Sequence, residues 1–117
     1  MGGAVLNRAD ILAVKDARVK RFPVAEWNGD IFLRSLTAAE REKWESVFEA
    51  RREKTTASVM ALLAAYAICD ENGNSLFTEE DVSALAKKDG AVMLRIAEAA
   101  MAMNAVTEKD IADIAKN

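Results

Sequence analysis

The sequence has no histidine, one cysteine, one proline and five glycines. Without histidine the chain lacks the commonest general base, the commonest metal ligand and every Ser-His or Cys-His pair. Cys69 alone can form no internal disulfide and cannot build a zinc site, and a reducing cytoplasm suits such a chain. The glycines at 2, 3, 29, 73 and 90 are scattered, so there is no Gly-rich phosphate loop. The net charge is −3, which leaves no broad basic surface for nucleic acid. The longest apolar run, Val59 to Cys69, has 11 residues, against about 20 for a membrane span. It reads as a buried helix, and no membrane contact is expected. No basic region followed by a long apolar stretch opens the chain, so no signal peptide is expected. Met1-Gly2-Gly3 fails the myristoylation pattern because Leu6 stands where Ser or Thr is required. Together these absences argue against a free-standing enzyme. No catalytic residue, cofactor or metal is expected.

What is present is a set of helix starts. Asn7, Thr37, Thr78 and Thr107 each precede a helical pattern, and each has an acid three residues on: Asp10, Glu40, Asp81 and Asp110. This is the capping-box spacing, in which side chains satisfy the orphan amides of a first turn. Apolar staples flank three of the starts: Leu6 with Ile11, Phe77 with Val82, and Val106 with Ile111. The spacing predicts helices near 8–16, 79–88, 90–104 and 108–116. Another starts after Thr37, with a break or kink at Thr55-Thr56, and runs on as a central helix to Cys69. Asp70-Glu-Asn-Gly-Asn74 reads as a turn, with Gly73 supplying positive φ.

The stretch from Phe22 to Arg41 reads as a β-hairpin leading into a capped helix. Asn28-Gly29 between alternating apolar runs suits a two-residue type I′ turn, with Trp27 opposite Asp30 and strands near 19–27 and 30–36. One face carries Phe22, Val24, Ile31 and Leu33 and is the core face. The other carries Trp27, Asp30, Phe32 and Arg34 and is mixed. Pro23 cannot donate to a ladder, so its strand is an edge or bends there. A hairpin alone is unstable in water and must pack on helices or on another molecule. The expected fold is mainly α with one β-hairpin (α+β), with five to six helices in a single domain over residues 1–117.

Asp70 to Asn74 faintly resembles the start of a calcium loop, but Ser75 holds the position that needs Gly and Asp81 the one that needs Glu. The carboxylates at 40, 81 and 110 are explained by their caps rather than by catalysis. Met60, Met93, Met101 and Met103 fit core positions better than an adaptable binding groove. Cys69 reads as a small buried hydrophobe. Trp27, Phe32 and Arg34 on the mixed hairpin face are the candidates for partner binding or self-association, with Trp27 and Phe32 as anchors.

The order of these elements resembles the tail assembly chaperones of long-tailed, non-contractile phages and their prophages. The resemblance rests on Ala9-Asp10-Ile11-Leu12 with Lys15-Asp16, on Trp27-Asn28-Gly29, and on Leu33-Arg34-Ser35-Leu36-Thr37-Ala38-Ala39-Glu40-Arg41. It continues in Cys69 through Phe77, in Glu80-Asp81-Val82-Ser83-Ala84-Leu85, and in Leu94-Arg95-Ile96 with Met103-Asn104. It implies a non-enzymatic protein in the cytoplasm of the bacterial host, outside the mature virion. Such a protein coats the tape measure protein, keeps it soluble, helps tail tube subunits assemble, and self-associates. Genes of this family often carry a −1 slippery site near the 3′ end. Ala115-Lys116-Asn117 permits one if the codons read GCA-AAA-AAC or GCA-AAA-AAT. The longer product would recruit the tail tube protein. Two other readings stand beside this one. One is a small helical adaptor or regulator that binds a transcription factor or another host protein. The other is an enzyme subunit with no active site of its own.

Overall fold

The computed structural model describes residues 3–52 and 54–115. Six α-helices and a three-stranded antiparallel sheet make up the described chain: α1 (Arg8–Ala13), β1 (Val19–Val24), β2 (Gly29–Arg34), α2 (Ala38–Ala50), α3 (Thr56–Ala67), β3 (Ile68–Cys69), α4 (Val82–Leu85), α5 (Gly90–Met103) and α6 (Glu108–Ala115). This is the mainly helical α+β class expected, with one strand more than the hairpin.

The caps set the helix starts. Asn7 with Asp10, Thr37 with Glu40, and Thr78 with Asp81 form complete capping boxes. Thr107 and Asp110 exchange the same two bonds, at 2.8 and 3.1 Å. Between α2 and α3 the backbone turns extended at Arg51, and Thr55 Oγ1 accepts the Ser58 amide at 3.1 Å. Residues 38–69 are therefore not one helix, and Thr55-Thr56 marks the restart. The Thr78 start opens as a single 3-10 turn, Glu79–Asp81, and only Val82–Leu85 is α-helical, so the helix expected over 79–88 is much shorter. α1 ends at Ala13 rather than at 16, because Val14 turns extended and none of the helix is buried.

The hairpin forms in a different register from the one expected. Pro23, not Trp27, faces Asp30, and Val24 faces Gly29. Residues 25–28 form the connection, a 3-10 turn over Ala25–Trp27 closed by the left-handed Asn28 at φ 55°. The type I′ turn would need positive φ at Gly29 as well, which the chain does not adopt. Both pairings keep the same residues on each strand face, so alternation alone could not choose between them. What distinguishes the observed turn is that it presents Glu26 to α5, where Arg95 donates to both carboxylate oxygens at 2.6 and 2.9 Å. The expected core face holds, with Val24 and Leu33 essentially inaccessible. β1, which carries Pro23, is an edge strand of the sheet, as expected.

The central helix stops at Ala67. Ile68 and Cys69 leave it to pair with Leu33 and Phe32, satisfying β2 groups that would otherwise lack partners. The chain then reverses at Asp70–Asn74, with Gly73 at φ 84°. One continuous core surrounds α3. Its Ala61, Leu62, Leu63 and Ala64 are fully buried against Trp44 and Phe48 of α2 and Val92, Ile96 and Ala100 of α5.

Candidate interaction surfaces

Arg34 is the best anchored of the three hairpin candidates. Its side chain is only 14% exposed. Its Nε donates to the Tyr66 carbonyl at 2.9 Å and its Nη1 to Glu40 Oε2 at 2.7 Å. Burial pushes the Glu40 carboxyl up, but the Thr37 amide and the Arg34 guanidinium outweigh it, and its net shift is downward. The same cleft holds Tyr66, whose hydroxyl donates to Glu79. Burial and the Glu79 carboxylate raise that hydroxyl to about 12. Arg34 thus ties β2 to α2 and α3, and its guanidinium is engaged inside the molecule.

Trp27 is not on the strand face shared by Phe32 and Arg34. It sits in the 3-10 turn, 36% exposed, and lines a small cleft with Phe77, Ala84 and Leu85. Phe32 is half-buried on β2, under the Arg21 guanidinium at 6.0 Å from its ring centre. The structure therefore brings Phe32 and Arg34 together and sets Trp27 apart at the hairpin tip.

Other groups of comparable weight were not among the candidates for partner binding in the sequence. Asn104 joins three elements at the end of α5. Its Oδ1 accepts the Leu36 amide at 2.6 Å, its Nδ2 donates to the Ala100 carbonyl at 2.9 Å, and its own carbonyl accepts from Arg41 at 2.9 Å. α5 also carries two apolar stripes. Val92, Ile96 and Ala100 face the core, while Leu94, Ala97 and Met101 form a second stripe at helical spacing. That stripe, with Val59 and Met60 of α3, Val106 and Ile111, lines an apolar groove of about 640 Å³. Leu94 is 49% exposed there. Of the methionines expected in the core, Met93 is buried, but Met60 and Met101 are half-buried walls of this groove. Leu94 gave a readable signal, a large aliphatic residue off the core stripe of its own helix.

Cys69 is buried as expected, and burial raises its thiol. The Asp70 carboxylate is occupied by the amides of Asn72 and Asn74 at 2.8 and 3.0 Å. These bonds hold a turn, as the tight-turn reading required. No helix among the described residues is long and apolar enough to cross a membrane.

A sequence profile of the phage tail assembly chaperones matches residues 7–117. The chain belongs to that family. The chaperone's fold agrees with a solved relative, the tail assembly chaperone of bacteriophage HK97, at a TM-score of 0.58 and 20% identity over 81% of this chain and 90% of that one. No curated protein matches the sequence. The chaperone's role therefore lies in phage tail assembly, as the resemblance implied.

Proposed function

We propose that this chaperone coats the tape measure protein and keeps it soluble while tail tube subunits assemble around it, acting by binding without catalysis. The observation that carries the reading is family membership over nearly the whole chain. A client that is one long amphipathic helix offers apolar stripes along its length, so many copies must cover it. The chaperone works in the cytoplasm of the bacterial host and is left out of the mature virion. Trp27 and Phe32 are the partner anchors on the hairpin, whose β1 is an outer strand of the sheet. Arg34 contributes by holding β2 in place, since its guanidinium is already bonded internally.

Co-expression with the tape measure protein tests this directly. The client should become more soluble, and the Trp27→Ala, Phe32→Ala double variant should lose part of that effect while staying folded. A tape measure protein equally soluble alone removes the rationale.

A longer form carrying a second domain would bring tail tube protein to the complex. Lys116 and Asn117, on which its slippery site depends, lie outside the described residues. The gene sequence decides it. GCA at Ala115 followed by AAA at Lys116 is expected, with a −1 frame that stays open. Any other alanine codon, AAG at Lys116, or an early stop in that frame contradicts it.

A further inference from the structure

Trp27 and Phe77 come from distant parts of the chain and line the same cleft, of about 270 Å³, together with Asp81, Ala84, Leu85 and Lys88. Each wall is held by the fold. The left-handed Asn28 and the two bonds from Arg95 to Glu26 fix the hairpin tip that carries Trp27. The Ser75 hydroxyl donates to the Phe77 carbonyl at 2.9 Å, and Asp81 accepts the Thr78 amide at 2.8 Å. Leu85 is 5% exposed and ties the cleft to the core. The space takes one or two side chains and falls short of the roughly 300–1,000 Å³ of a cofactor-sized site. Walls already in place lower the ordering cost of binding, and aromatic anchors of this kind carry most of the energy of an interface.

The charges around the cleft are unequally engaged. Glu26 is paired with Arg95, Asp81 with the Thr78 amide, and Asp89 accepts the Val92 amide at 3.2 Å. These carboxylates are turned to donors of their own chain. The cations are not. The ammonium groups of Lys88, on the cleft, and of Lys87 beside it have no partner among the described residues, and both side chains are exposed. A chain of net charge −3 thus sets two unpaired cations next to an apolar cleft. We infer that the cleft between the hairpin tip and α4 receives one large apolar side chain from an acidic segment of the client, whose carboxylates meet Lys87 and Lys88. Opposite charge steers such a segment to the cleft and selects it over a basic one. In naming the client the inference rests on the coating reading above, while the chemistry it asks for comes from the cleft itself. Trp27 then binds together with Phe77 and Lys88, two neighbours that the hairpin pattern alone does not supply.

The test is a titration of the isotope-labelled chaperone with synthetic peptides, read from the indole signals of its two tryptophans by NMR. Trp44 is fully buried and serves as the internal control. A peptide with one leucine among glutamates should shift the Trp27 signal to saturation and leave that of Trp44 in place. Serine for the leucine, or lysines for the glutamates, should abolish the shift. The double variant Lys87→Glu, Lys88→Glu changes exposed residues only, and thermal unfolding checks that it is folded. It should bind the acidic peptide about tenfold more weakly or worse and take up the lysine-flanked peptide instead. A Trp27 signal that does not move, an equal response to the serine peptide, or a double variant that binds like wild type would each overturn the inference. So would a Trp27 signal that moves with chaperone concentration alone, because a second copy then fills the cleft. Client solubility in co-expression is read separately. A double variant that solubilises the tape measure protein as fully as wild type sinks the cleft contact and spares the coating reading. Peptide binding as expected, with no effect of wild type on the client, does the reverse.

Discussion

Glu26 is the residue whose chemistry depends most clearly on the fold. The Arg95 guanidinium and its own backbone amide hold its carboxyl at about 2, against an ordinary 4.5. The backbone amides of Asn74 and of Thr107 likewise lower Asp70 and Asp110. A carboxyl depressed in the folded state stabilises fully above its unfolded value, and that contribution disappears as pH falls toward the folded value. The unfolded chain binds more protons in that window, so stability should decline from about pH 4.5 downward. Glu26→Gln should flatten this decline between pH 4.5 and 2, measured by denaturant unfolding at a series of pH values. An unchanged slope would mean that the Glu26–Arg95 pair does not persist in solution. Asn104 makes a larger claim at neutral pH. Its side chain serves the Leu36 amide and the Ala100 carbonyl at once, and Asn104→Ala leaves both without it. The expected cost is about 1–3 kcal/mol, and a loss below a few tenths would show that water replaces the side chain freely.

At the scale of elements, the starts were written in the sequence and the stops were not. A cap is local chemistry. Asn7, Thr37, Thr78 and Thr107 bond within three residues, and all four do so here. Thr78→Ala should therefore cost about 1 kcal/mol through loss of its side-chain cap. An unmoved thermal midpoint would place the start of that turn elsewhere. The end of α3 depended on a distant element. Ile68 and Cys69 become a strand only because the outer side of β2 lies beside them, which no local pattern states. The hairpin register was hidden for a related reason. Two pairings offered the same alternation, and the observed one is accompanied by the contact of Glu26 with Arg95, far along the chain. Trp27 was thereby moved from a strand face into the turn, and the partner candidates were separated. The groove was half legible, since Leu94 and Met101 repeat at helical spacing, but its other wall comes from α3 and α6.

For the molecule as a whole, one hydrophobic core holds the elements together. α3 is enclosed by α2, α5 and the sheet, and Leu62, fully buried within it, should cost about 2–5 kcal/mol on Leu62→Ala. A two-state denaturant curve with a midpoint unchanged by that variant would contradict a single packed core. Around this core stand an exposed apolar arm, an apolar groove and the outer strand β1 of the hairpin. The chaperone reading makes a quantitative demand on them. If copies coat an extended client, the number bound must grow with the client's length. Native mass spectrometry of the complex purified with full-length and internally shortened tape measure proteins measures this directly. The account predicts many chaperone copies per client chain, falling in proportion as the client is shortened. A single copy per client, or a number that does not change with client length, would contradict it.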